Sequence, residues 1–426
     1  MTFVTKDFLI AGGGLSGLGA YSVLKELGSV SLVEKNNELL GHARSHKNNE
    51  QFFDEGVHVC HSKNESWLSI LNMTGVNFIE QSDVRNIDKG RWIGYPVQNN
   101  LADLPSHERK ISFEQLKKCS EQKFDPPKNY EDWLKNSYGS FLYNEYYRRF
   151  TLKYWRCEPR ELGLDWLEGR LLPVRMDLVE SGLIKNQTSQ AVFSSYYYPS
   201  SGGFQNLFSD LAAEVPKTDK YLNSEIVNID LKKKILETGD GSVFEYGRLI
   251  YTLPLPLLCN LVKEFPDRLR EKINQLRYTR LFTLGIEVSG VDVKSIPDWF
   301  YIYDADIDVS RVFNVSKASG ENSRLILQCE TYRRDDELFN ASDIEKAMYK
   351  GMQKIFPKAK VSRLLFNTTE YSYIVPLDLN AGVVKEVSNY LQEFDLTLAG
   401  LYGLWKYRWS DQAYTETQNL IRREFL

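Results

Sequence analysis

The stretch DFLIAGGGLSGLGAYSVLKELGSVSLVEKN, residues 7–36, decides the fold. Phe8, Leu9 and Ile10 make a short apolar run of buried-strand character, Ala20 to Leu27 is patterned at helical spacing, and Gly28 stops that helix. Val30 to Val33 then resumes a strand that ends at Glu34. Strand, helix and strand in this order form a βαβ unit, which implies parallel strands and a right-handed crossover. At the first turn, Gly12, Gly14 and Gly17 spell Gly-x-Gly-x-x-Gly. The first glycine permits the tight turn, the second lets a pyrophosphate approach the backbone, and the third lets helix pack on strand. Leu15 and Ser16 open the helix, where free N–H groups and the helix dipole favour phosphate. Glu34, 20 residues beyond Gly14 and followed by Lys35, is placed to accept hydrogen bonds from ribose hydroxyls. The segment predicts a dinucleotide-binding domain.

Composition narrows the partners. The 426 residues include 53 Lys+Arg and 57 Asp+Glu, a net charge of -4, with 42% apolar residues, so the chain has room for two or three domains and no basic excess for nucleic acid. All five histidines lie at or before residue 107, so a Ser-His-Asp or Cys-His device would have to draw on His42, His46, His58, His61 or His107. Five widely spaced cysteines without a Cys-x-x-Cys pair argue against a disulfide framework or zinc ribbon and for a reducing, cytoplasmic compartment; no metal site is expected. The uncharged run from Phe8 to Leu24 is shorter than the ~20 residues of a membrane span, so no transmembrane segment is expected.

The segments that follow Glu34, KNNELLGHARS (35–45) and FFDEGVHVCHS (52–62), resemble those of flavoproteins of the amine oxidase and UDP-galactopyranose mutase superfamily. Gly41 and Arg44 fall at its glycine and arginine positions, and His42 stands where a second glycine is usual. Gly56 to Ser62 resembles the stretch beside the flavin ring, which implies that His58 and His61 lie there. GRWIGYPVQNNLADLP (90–105) resembles the family's short proline and asparagine segment, with Pro96 and Asn100 matching, which implies Asn100 at a substrate position. The block FTLKYWRCEPRELGLDWLEGRLLPVR (150–175) matches the mutase family at Lys153, Trp155, Pro159, Glu161-Leu162, Arg170 and Pro173-Val174-Arg175. The resemblance implies that Phe150 and Trp155 line the base pocket and that Arg170 meets the diphosphate, with Arg175 as the competing register. It also implies a second arginine from the later sheet, Arg277 or Arg280, with Arg280 taken as the catalytic candidate, and Tyr303 as a further aromatic contact. Val227 would pass the adenine; Gly400 and Asp411 would serve the cofactor, and Tyr407 the substrate. Leu401 and Trp409 replace a family arginine and aspartate.

The expected architecture is α/β: a discontinuous Rossmann-like FAD-binding domain (1–65, 196–260 and 390–426), a mainly helical substrate region (66–195) and an antiparallel β-sheet substrate region (261–389). The resemblance implies FAD acting in its reduced form at N5, a nucleotide sugar as small-molecule substrate, and a role in surface polysaccharide biosynthesis. The stretches FDEG, YPSSGG and TLPL fit the wider superfamily equally well. That leaves an FAD-dependent oxidoreductase, moving hydride from substrate to flavin, as the alternative, and a catalytically silent flavin-binding partner as a third reading.

Overall fold

The first strand, β1 (Phe3–Ala11), alternates while it lies near the surface and ends in three fully buried residues, Leu9, Ile10 and Ala11. It runs parallel to β2 (Val30–Val33) on one side, with Ile10 opposite Leu32, and to Val243–Tyr251 on the other, with Ile10 opposite Ile250. Helix α1 (Leu15–Leu24) crosses between β1 and β2 and has no polar face, because it is sandwiched between this sheet and the last helix, Ser410–Phe425. Gly17 makes that packing possible: a Cβ there would stand 2.0 Å from the carbonyl oxygen of Gly12. The computed structural model describes residues 3–167, 170–171, 173–184 and 194–426.

The sheet is completed by Lys220–Tyr221 beyond β2, by Leu396–Leu398 running parallel to Val243–Tyr251, and by the antiparallel strands Ile235–Thr238 and Ile226–Asp230. Its strands therefore come from three stretches of chain separated by long insertions. A second seven-stranded sheet has the order Lys360–Thr369, Thr279–Ser289, Leu325–Arg334, Arg311–Asn314, Trp299–Ile302, Val84–Asp88 and Arg91–Gly94. It is antiparallel except where Trp299–Ile302 pairs with Val84–Asp88. Two of its strands thus come from the region expected to be mainly helical, because the short Val84–Gly94 hairpin finds its partner more than two hundred residues later. One face is covered by Ala341–Ile355, an amphipathic helix whose Ile344, Met348 and Met352 pack on Phe282, Leu284 and Ile286. Asn340 caps that helix by accepting hydrogen bonds from the amides of Ser342 and Asp343.

Elsewhere in the 66–195 region Val76–Ile79 forms a two-stranded ribbon with Tyr196–Pro199, and the helices Ser106–Glu121, Tyr130–Leu142 and Arg148–Tyr154 stack around buried Tyr130, Leu134, Tyr138 and Tyr146. Residues 168–169, 172 and 185–193 of it lie outside the described residues. Among the described residues no helix is long and apolar enough to cross a membrane.

Candidate active site

A cavity of about 890 Å³ is lined by the glycine turn of the first sheet, by residues of the second sheet and by the helical region. At one part of its wall α1 begins at Gly14 with no side-chain cap, so its first N–H groups are left for a ligand. Gly12, Leu15, Ser16, Glu34 and Lys35 line the same part, while Gly17 lies beneath it, in the helix–strand contact. Glu34 is buried, and its carboxylate accepts from the Gly13 amide at 2.9 Å and the Asn36 amide at 2.9 Å. Gly41 faces Gly14 across the turn. Gly400 begins a short helix against Ser16 and Leu401 reaches the cavity; Gly400 itself is covered by the Ser16 side chain.

In the middle of the cavity the side chains of His42, Arg44 and His46 converge on the carboxylate of Glu55, at 2.8, 2.5 and 3.3 Å. Burial opposes ionisation of Glu55, but the bonds from His42 and His46 and the charge of Arg44 outweigh it and hold its carboxyl well below the usual range. His58 stacks on Phe204 with ring centres 5.1 Å apart, and the Nδ1 of His61 lies 3.1 Å from the Ser195 carbonyl oxygen. Burial pushes both imidazoles down to about 4, so each is neutral at neutral pH. Asp411 accepts a hydrogen bond from the Ser62 hydroxyl at 2.8 Å.

The remaining wall is aromatic and cationic. The Arg170 guanidinium lies between two rings, 4.5 Å from Tyr407 and 4.9 Å from Trp409, and donates to the carbonyl oxygens of Trp166 and Tyr407. Phe150, Tyr154, Trp155, Trp166 and Tyr373 complete the enclosure. Arg311 enters it from the strand Arg311–Asn314, donating to the buried Glu330 carboxylate at 2.7 Å and to the Tyr373 hydroxyl at 3.4 Å. Burial disfavours the charged guanidinium, but the Glu330 carboxylate more than offsets this and holds Arg311 protonated. Glu330 also accepts from the Val57 amide and the Tyr332 hydroxyl, tying Arg311 to the His58 segment.

Besides Gly17 and Gly400, six expected residues lie off this cavity: Asn100, Arg175, Val227, Arg277, Arg280 and Tyr303. Val227 points outward and is half exposed; its neighbour Ile226 lines the wall, because the strand begins one residue out of the expected phase and alternate side chains face opposite ways. Arg280 is engaged by Glu370 at 2.9 Å and stacks on Phe339, and Arg277 lies against Asp335 and Asp336; the arginine this sheet sends to the cavity is Arg311. Arg175 is exposed and bonded to Asp177, which decides the register in favour of Arg170 as the arginine on the wall. Asn100 is buried against Gly94 and donates to the Pro96 carbonyl oxygen at 2.9 Å. Tyr303 follows the end of its strand at Ile302 and turns behind Phe150 toward Tyr146, leaving Tyr301 on the wall. The sequence reading missed Arg311, Glu330, Tyr373 and Glu55. For the Arg311–Glu330 pair the available signal was a single charge within each of two apolar runs, SRVFN (310–314) and LILQCETY (325–332).

The family model for flavin-containing amine oxidoreductases matches residues 15–362. The chain belongs to this family. A probable UDP-galactopyranose mutase of Klebsiella pneumoniae is 24% identical over 181 residues, 40% of this chain and 46% of that protein. A dTDP-fucopyranose mutase of Escherichia coli is 22% identical over 252 residues, 57% of this chain and 63% of that protein. The chain thus spans less than two thirds of the length of either relative. The crystal structure of a reduced UDP-galactopyranose mutase superposes with a TM-score of 0.88 over 98% of this chain and 95% of that one, at 21% identity, which establishes a shared fold. A protein of this flavin-containing family needs room for a flavin dinucleotide, and the cavity's residues fit one. The glycine turn offers an open helix start, Glu34 stands at the end of β2, and the buried His58 Nδ1 has no hydrogen-bond partner among the described residues.

Proposed function

We propose that this flavoenzyme is a mutase that interconverts ring forms of a nucleotide-activated sugar, in the cytoplasm and in the service of surface polysaccharide synthesis. The observation that carries the reading is the pair of arginines, Arg170 and Arg311, on one aromatic wall of the cavity that also holds the glycine turn. Tyr373 and Tyr407 join them: their rings are 5.5 Å apart, Tyr373 bonded to Arg311 and Tyr407 stacked on Arg170. Two fixed guanidinium groups suit a diphosphate that must be held as it leaves and returns. Neutral, buried His58 and His61 offer no proton at pH 7, which suits chemistry carried by the cofactor. The mutase names of two relatives support the same class, and five unpaired thiols suit a reducing compartment.

In this reading residues 1–65, 196–260 and 390–426 form the flavin domain. Gly12, Gly14, Leu15 and Ser16 receive the pyrophosphate, with Gly17 packing the helix on the strand beneath them, and Glu34 with Lys35 the ribose. Ile226 borders the adenine, Gly41, His42, Arg44 and His58 flank the ring system, and Asp411 closes the far side, with Gly400 supporting Ser16 from behind. Reduced FAD supplies a nucleophilic N5. Arg170 and Arg311 hold the diphosphate, Tyr407 and Tyr373 offer hydroxyls to it, Phe150 and Trp155 stack on the base, and His61 orients the flavin.

The test incubates flavin-loaded protein with UDP-galactopyranose or dTDP-fucopyranose, under dithionite and under air, and separates the products by chromatography. Furanose formed only under dithionite supports the reading. Oxygen uptake and flavin bleaching with an amine or polyene, and no furanose from either sugar, would replace it by the hydride-transfer alternative.

A further inference from the structure

Lys153 belongs to the short helix Arg148–Tyr154 but does not reach the cavity. Its ammonium points the other way, into the turn that joins Trp299–Ile302 to Arg311–Asn314. There Nζ meets four backbone carbonyl oxygens, those of Ile302 at 2.7 Å, Asp304 at 3.0 Å, Ile307 at 2.9 Å and Val309 at 2.8 Å. An ammonium has three hydrogens, so four acceptors at these distances make a cage of carbonyl dipoles around a point charge, as oxygen ligands surround a small cation. A planar guanidinium has the wrong shape for such a cage. The Lys153 carbonyl in turn accepts from the Ser310 hydroxyl at 3.2 Å, and Arg149 donates to the Tyr303 carbonyl oxygen at 2.9 Å. The caged turn is bracketed by Tyr301 and Arg311, both on the cavity wall.

We propose that Lys153 is a positioning residue for the substrate: its ammonium clamps the 302–309 turn and thereby fixes Tyr301 and Arg311 against the helix that carries Phe150 and ends at Trp155. The inference rests on the nucleotide-sugar reading of the wall. Carboxylates do not provide the clamp. Asp306 is bonded to Lys354, Asp308 is paired with Arg333, and Asp304 accepts from the Lys89 amide at 2.8 Å. Remove the charge, and four converging carbonyl dipoles repel with nothing between them.

Burial lowers the Lys153 ammonium to about 8, against the pull of Asp308, Asp304 and Asp306 and with the push of Arg149. A neutral amine donates two hydrogens and turns a lone pair toward the cage, so the clamp loosens as pH rises through 8. The linkage to global stability has the opposite sign. Between about 8 and the ordinary 10.5 the unfolded chain holds this proton more tightly, so this group makes folding more favourable with rising pH. Loss of affinity in that window without loss of Tm therefore separates a clamp from general unfolding.

The experiment titrates UDP and dTDP into the flavin-loaded protein, following tryptophan fluorescence and flavin absorbance. Lys153→Met is expected to weaken nucleotide binding about tenfold, the scale of lost charge-assisted hydrogen bonds, with flavin content unchanged. Lys153→Ala is expected to regain affinity with potassium or methylammonium, which fit the cage, and not with tetramethylammonium, which cannot donate. Unchanged affinity in Lys153→Met, or rescue by every cation alike, overturns the proposal. If neither variant folds, the wild-type protein decides: affinity falling several-fold as pH rises from 7.5 to 10 with no fall in Tm supports the clamp, and affinity flat over that whole range overturns it. If the wild-type protein binds neither nucleotide, the nucleotide-sugar reading fails on its own. Hydrogen exchange over residues 302–310, which needs no ligand, then tests the clamp, and unaltered exchange in Lys153→Met refutes it.

Discussion

Arg311 and Glu330 show how much a single buried pair decides. The guanidinium is nearly enclosed and the carboxylate wholly so, and each satisfies the other. Arg311→Met would leave Glu330 charged in the interior, at a cost of about 3–5 kcal/mol, read as a fall in Tm. Adding Glu330→Gln should recover most of that stability while turnover stays lost, because the cation is still missing. The two buried histidines make a pH prediction. His58 and His61 titrate near 4 when folded and near 6.5 when unfolded, so below 6.5 the unfolded chain takes up more protons and stability drains away as pH falls toward 4. Asp54 acts oppositely: burial raises it to about 6, so it adds stability on acidification from 6 toward 3.8. Thermal melts of His58→Asn between pH 7 and 5 should show a shallower decline than wild type.

At the scale of elements, the start of α1 carries the cofactor expectation. A Cβ on Gly14 would lie 3.8 Å from the Gly41 Cα, an ordinary contact, and its φ of -73° suits any residue. Gly14→Val should therefore fold normally by circular dichroism yet purify colourless, since the added methyls occupy the pyrophosphate's path. A yellow Gly14→Val protein would show that the dinucleotide lies elsewhere. The βαβ unit was legible in 7–36 because each of its signals is local: an apolar run, three glycines at fixed spacing, a helical pattern and a terminal acid. Strand phase was less legible. Ile226 rather than Val227, and Tyr301 rather than Tyr303, line the cavity because where each strand starts and stops depends on its neighbours in the sheet. The Val84–Gly94 hairpin escaped notice for the same reason, its parallel partner Trp299–Ile302 being far along the chain.

In the whole molecule the cavity lies where the two seven-stranded sheets and the helical region meet, and a ligand that fills it binds only the folded chain. Removing the flavin should lower Tm by several degrees and make it depend on added FAD, as linkage requires; differential scanning fluorimetry of flavin-stripped and reloaded protein would measure this. An unchanged Tm would mean that the cavity is not the flavin site. By itself the sequence determined the glycine turn and the α/β class, since these rest on backbone sterics and short-range pattern, while the block around Arg170 was reached through its resemblance to the mutase family. Only the tertiary structure decided which second arginine faces the cavity. Arg311 was chosen over Arg280 by burial beside Glu330, and Glu330 reaches back 273 residues to the Val57 amide. A charge is held inside a protein only where the folded chain brings its counter-charge and hydrogen-bond partners to meet it, and no local pattern records that meeting.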